Sequence, residues 1–181
     1  MATRVVLTYK DYEALPNDGR RYELHEGELS VTPAPSPQHQ AVSLNLVVVL
    51  HHHVKIHSLG RVLNAPIDCI LSDTTIVQPD IVYLENARLP AISTRGIEGP
   101  PALAIEILSP TTTQIDRSVK FQLYARHVVP YYWIVDHDAR SIEAYRLAEG
   151  TYQIAGRLAG SEAVSFPPFP DLALVPSSIW P

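Results

Sequence analysis

The sequence predicts an α/β protein built on a central mixed β-sheet flanked by helices. Three observations carry this. Strand-like and helix-like stretches alternate along the chain. The run LAIEIL at residues 103–108 is apolar on both of its alternating faces apart from Glu106, as expected of a strand buried within a sheet. YYWIVD (131–136) and SIEAYRL (141–147) are joined by a short polar connection, the pattern of an antiparallel hairpin.

The elements follow in order. Residues 8–15 read as a short helix capped by Thr8 and ended at Pro16. Residues 21–24 and 28–32 form a hairpin around a turn at 25–27, and a proline-rich loop follows at 31–38. From His39 to about His57 the periodicity is helical, with Val42, Leu46, Val49, Leu50, His53 and Val54 on one face, and Gly60 stops it. Residues 61–71 suggest a strand broken at Pro66, and 77–84 another with Pro79 confined to its start. Residues 113–127 are helical, and the opening TQID resembles a capping box with aspartate in the glutamate position. TYQIAG (151–156) reads as an edge strand, and the tail from Phe166 as a surface wrap. The expectation is one domain over 1–181, with an N-terminal helix and hairpin and a proline-rich tail.

Composition narrows the partners. Hydrophobic content of 46% with 18% charged residues suits a globular protein. The longest fully apolar run, LVVVL at 46–50, is far too short to cross a bilayer, and the N-terminus lacks a signal-peptide apolar region. Cys69 is the only cysteine, so a reducing, cytoplasmic setting is expected, with no membrane partner. The net charge is −5, and Lys10, Lys55 and Lys120 are the only lysines. A protein gripping nucleic acid by its phosphates usually shows a basic surface, so any such chemistry here must be local.

The candidate site starts from Glu106. An ionised carboxylate in an apolar strand must protonate, find a partner or bind a metal. Asp80 follows Pro79 in the preceding strand, so two acids can meet at one sheet end, where hard oxygen ligands suit magnesium or manganese. Asp116 and Lys120 lie on the next helix, and Lys120 borders its apolar face, able to turn its ammonium towards the acids. Plainer readings exist for each taken alone. Asp116 and Lys120 can form an exposed helix pair worth ~0.3–0.5 kcal/mol. Asp80 can be a turn residue, and Glu106 can pair with a core arginine. HHHVKIH (51–57) lacks the context of a metal motif and reads as a helix end.

Several stretches together resemble the Uma-type (Uma two) restriction-endonuclease-like family of the PD-(D/E)XK nuclease superfamily. They are RYELHEGEL (21–29), PSPQHQ (35–40), QPDIVYL (78–84), PPALAIEILSPTT (100–112), DRSVKFQLYARHVVPYYWIVD (116–136) and EAYRL (143–147). The resemblance implies a restriction-endonuclease-like fold. It also implies a divalent metal held by Asp80, Glu106 and the Ile107 carbonyl, with Lys120 acting on the attacking water. Glu23 resembles the extra acid that many members use to complete the metal shell, although a surface strand charge is an equal reading. Gln38 and His39 sit at a loop-to-helix junction that can face the same cleft. Two positions depart from the pattern. Leu108 stands where the superfamily's lysine usually does, as though the lysine had moved to Lys120, and Val128 stands where a glycine is usual.

The function implied is metal-dependent hydrolysis of phosphodiester bonds in DNA by a homodimer, paired so that two clefts and their arginines share one channel. The rival is a catalytically silent nuclease-like scaffold binding nucleic acid or protein, which the acidic charge favours. Hydrolysis of RNA or small phosphates is a third reading.

Overall fold

A computed structural model describes residues 5–181. Helix α1 (Tyr9–Glu13) precedes the hairpin of β1 (Arg21–His25) and β2 (Glu28–Thr32). The long helix α2 (Pro37–Ile56) follows, then β3 (Gly60–Asn64), β4 (Cys69–Ser72), β5 (Thr75–Val77) and β6 (Ile81–Glu85). A 3-10 segment at Asn86–Ala91 leads to β7 (Ile92–Ser93), β8 (Gly96–Glu98) and β9 (Leu103–Ile107). A π-helical segment, Ile115–Lys120, runs into α3 (Phe121–Arg126), followed by β10 (Tyr131–Asp136), β11 (Ser141–Ala148) and β12 (Thr151–Ala159). The tail adds β13 (Val164–Phe166), β14 (Phe169–Leu174) and the short α4 (Pro176–Ile179).

Local chemistry sets several of these boundaries. The Asp11 carboxylate accepts from both the amide and the hydroxyl of Thr8, closing the start of α1. Ser36 caps α2 by accepting from the His39 amide, and Pro37 occupies its first turn. The β1–β2 turn places Glu26 at φ 53° and Gly27 at φ 82°, the two positive φ values that a tight hairpin turn requires.

The strands make two six-stranded mixed sheets and a two-stranded hairpin. One sheet runs β2-β1-β5-β4-β8-β7 and the other β12-β11-β10-β9-β6-β3. In the second sheet β9 lies between β10, parallel to it, and β6, antiparallel to it. Its five residues are all buried. One face of this sheet packs on α2 and the tail through Leu46, Leu50, Trp133 and Phe169. The other packs against α3 through Tyr124, Val129 and Tyr132. Among the described residues no helix is long and apolar enough to cross a membrane.

Four expectations change. The two strands predicted over 61–71 and 77–84 are four, because Pro66 and Pro79 mark points where the chain leaves one sheet for the other. The capping box predicted at TQID does not form: the Thr113 hydroxyl donates back to the Ser109 carbonyl. The segment after it winds as a π-helix instead of a regular α-helix. The tail is not a surface wrap, since Phe166, Phe169, Leu174, Ile179 and Trp180 enter the main core. Gly156 leaves the space for this, because a Cβ there would stand 2.7 Å from the Phe166 ring.

Val128, where the resemblance leads one to expect glycine, adopts φ 59° just after α3. A β-branched residue is strained in that left-handed region.

Candidate active site

Antiparallel pairing of β6 with β9 sets Ile81 opposite Ile105. The same register carries Asp80, at the entry to β6, to the end of β9 where Glu106 stands. Asp80 accepts from the Ile107 amide at 2.7 Å, and the Arg21 guanidinium lies 3.0 Å from its other oxygen. His39 Nε2 is 3.2 Å from the oxygen that the Ile107 amide serves. Burial works against the Asp80 charge, yet the His39 hydrogen bond, the Arg21 cation and the Ile107 amide together hold its carboxyl below the usual range.

Glu106 is 2% exposed, and one of its oxygens accepts from Lys120 Nζ at 3.0 Å and from the Tyr124 hydroxyl at 2.6 Å. Lys120 Nζ also lies 3.0 Å from Glu23 and 3.7 Å from Asp116. Glu23 arrives from β1, in the other sheet, and accepts from the Gln78 amide at 2.6 Å, with His25 at 3.3 Å. The centre therefore sits where the two sheets and the π-helical segment meet.

These groups share one electrostatic problem. Burial opposes the Lys120 charge, but Glu106, Glu23 and Asp116 hold its ammonium well above its usual range. Burial would raise Glu23 too, and there the Lys120 cation, then His25 and Arg21, win, so Glu23 is ionised. Glu106 goes the other way. Burial, with repulsion from Asp116, Asp80 and Glu23, outweighs Lys120 and pushes its carboxyl up to about 8. Asp116 is raised as well, chiefly by burial. Lys120 counts Glu106 as its largest support while Glu106 is the acid that keeps a proton. Glu23 is thus the standing anion beside the lysine.

The structure brings together Glu23, His39, Asp80, Glu106, Ile107 and Lys120. Gln38 is exposed on the first turn of α2 and lies outside the recess that the acids line. Asp116 and Lys120 are not the exposed helix pair of the plainer reading, since both are buried. Sequence reasoning missed Arg21 and Tyr124, which touch the acids directly. Arg21 carried a signal, because it opens the RYEL stretch two residues before Glu23 and so shares its strand face.

Four buried carboxylates (Glu23, Asp80, Glu106 and Asp116) face two side chains of fixed positive charge, Arg21 and Lys120. The crowding of acids, which without an ion keeps a proton on Glu106, and the hard oxygen donors fit a divalent ion such as magnesium or manganese. Asp116 Oδ1 also has no hydrogen-bond partner. The fit lies in chemistry and charge, not in ready-made geometry. Among the described residues no three His, Cys, Asp or Glu side chains stand as a ligand cluster.

Five chains of solved structures match this one. One is the crystal structure of "a putative nuclease belonging to DUF820" from Anabaena variabilis ATCC 29413, at 23% identity and a TM-score of 0.78, covering 96% of this chain and 97% of that one. The fold is therefore the restriction-endonuclease-like one. No curated protein matches the chain significantly. The family model described as "Putative restriction endonuclease", Uma2, matches residues 9–177, and the chain belongs to that family.

Proposed function

We propose that the chain, acting as one domain, is a metal-dependent endonuclease that hydrolyses phosphodiester bonds in DNA. The observation that carries this reading is the buried Lys120, 3.0 Å from both Glu106 and Glu23, in the same cluster as Asp80. A lysine held among acids beneath a cleft costs stability and has an evident use in phosphoryl chemistry.

Asp80, Glu106 and the Ile107 carbonyl would hold the ion, with Glu23 completing the set. When bound, a divalent ion supplies charge that polarises the phosphate for attack by water. The chain's own groups do the rest. Lys120 donates to the attacking water and to the oxygens on which charge develops. Tyr124 fixes the Glu106 carboxyl, and the Arg21 and His39 contacts orient Asp80. As water adds to phosphorus the P–O bond to one sugar breaks, the water's proton passing to solvent and the departing sugar oxygen taking one from solvent. Lys120 remains the fixed cation beside the phosphoryl group.

One observation favours a silent scaffold instead: the acids already have protein partners at hydrogen-bonding distance. Magnesium- or manganese-dependent thermal shift, paired with nicking of supercoiled plasmid, separates the two. The enzyme reading expects a metal shift of about 2.7 kcal/mol at a hundredfold excess over Kd. Glu106→Gln should lose the shift and Lys120→Ala keep it, with nicking lost in both. A metal shift without any cutting of DNA or RNA would establish the scaffold.

The chain is also expected to pair as a homodimer, giving one acidic domain a longer surface for nucleic acid. A monomer at micromolar concentration in sedimentation would count against this.

A further inference from the structure

The acids of the site face a recess of about 40 Å³. Arg21, His39 and Asp80 form a wall shared between that recess and a second cleft of about 430 Å³. The proline-rich stretch 32–35 borders both spaces, so a substrate reaching the acids from this side passes the wall. The wall is under-bonded. Arg21 Nε and Nη2 and His39 Nδ1 are buried without a hydrogen-bond partner, and His39 is only 5% exposed. The two Arg21 donors left unpaired in this way are costly, and an anionic oxygen is their natural partner.

Beyond the wall the chemistry changes. Asn17, Arg20, Gln40 and Asn64 edge the larger cleft, and no lysine, tyrosine, phenylalanine or tryptophan lines it. Side-chain amides present a donor and an acceptor side by side, the pattern that matches the edge of a nucleobase. The amides neutralise no phosphate, and with the Asp80-bound His39 imidazole as the one ring in its lining the cleft offers chiefly hydrogen bonding in place of stacking. A paired and stacked base cannot reach such a cleft, and extruding it costs a few kcal/mol, least where the base is already unpaired. With a net charge of −5, little counterion release is available to offset that cost on a duplex.

From this juxtaposition we infer that the protein acts beside an unpaired nucleotide, with its phosphate at the Arg21–His39 wall and its base in the amide-edged cleft. The inference rests on the nuclease reading and narrows its substrate to single-stranded or locally unpaired nucleic acid.

The test is fluorescence anisotropy without added metal, using a short single-stranded DNA, the same sequence as RNA, and its fully paired DNA duplex. Cleavage of a hairpin with a one-nucleotide bulge against its fully paired counterpart is the companion assay. Wild type should bind at least one single strand tenfold or more tightly than the duplex, and the RNA arm reports the sugar preference. Gln40→Ala alone should reduce that preference. Gln40→Ala with Asn64→Ala should abolish it, at an unchanged Tm that reports an intact fold. Equal or tighter binding of the duplex overturns the inference, as does no binding of any strand, or a preference that survives in the double variant. Preferential single-strand binding with no cutting under any metal leaves the placement of the unpaired nucleotide standing as a binding mode and sinks the nuclease reading. Cutting of paired and bulged hairpins at equal rates does the reverse.

Discussion

On one face of β9, Leu103, Ile105 and Ile107 meet Leu46, Trp133 and Phe169 in a core without charge. On the other, Ala104 and Leu108 flank Glu106, which looks into a group of acids around one lysine. Both faces are equally dry, since Ile105 is 0% and Glu106 2% exposed. They are ordered by different forces. Apolar packing is nearly independent of pH and salt, and it tolerates any side chains that fill the space. The charged face depends on every partner being present in the right protonation state, and desolvation makes it costly to keep.

The largest effects test this contrast directly. Trp133→Ala and Lys120→Ala should each destabilise the protein by about 3–5 kcal/mol in urea unfolding at pH 7, the first by leaving a cavity and the second by stranding buried acids. The Trp133→Ala loss should persist unchanged at pH 5. The Lys120→Ala loss should shrink there, because protonated acids need no cation. A Lys120→Ala loss that ignores pH would break the comparison.

The wild type should itself carry a smaller pH signature. The folded pKa of Glu106, about 8, lies above its unfolded value of 4.5. The fold thus keeps a proton that the unfolded chain releases. This stabilisation is complete below the unfolded pKa and is lost as pH rises towards 8. Asp116, also raised, acts in the same sense. Glu23 is lowered, so its opposite contribution falls at pH values below its own unfolded 4.5. Between pH 5 and 8 Glu106 and Asp116 should therefore lower stability as pH rises, one proton contributing at most about 1.4 kcal/mol per pH unit. His53 and His127, held below the usual imidazole range chiefly by burial, act in the opposite sense. Glu106→Gln should flatten the decline. Identical pH profiles for wild type and Glu106→Gln would show that Glu106 is ionised throughout.

The smallest effect sharpens the same point. Tyr124→Phe removes only the hydroxyl that donates to Glu106 at 2.6 Å. A loss of about 1–2 kcal/mol is expected. Because the lost donor favoured the ionised acid, the pH decline should also move to higher pH. A change in stability with no movement of the pH profile would mean that the hydroxyl serves packing alone.

Much of this molecule was legible in its residues. Period-two alternation placed Glu106 on the face opposite Ile105 and Ile107, and the same-end argument paired it with Asp80. The apolar periodicity of α2 named six residues for its inner face, of which Val49 is the one only partly buried. The plainer reading of Asp116 and Lys120 failed because helical spacing specifies a pair and says nothing about what covers it. The tail was misjudged for a related reason, since its prolines signal irregular backbone and not exposure.

The sequence by itself determined which residues alternate, which segments are helical and which acids share a strand end, because these follow from local periodicity and backbone geometry. Only the tertiary structure decided that Pro66 and Pro79 pass the chain between two sheets and that Glu23, from one sheet, meets Lys120 of the π-helical segment beside Glu106 of the other. It also decided that Arg21 and Tyr124 hold the acids. The physical reason is that periodicity fixes the face a side chain presents, whereas its partner depends on long-range packing between segments far apart in the chain.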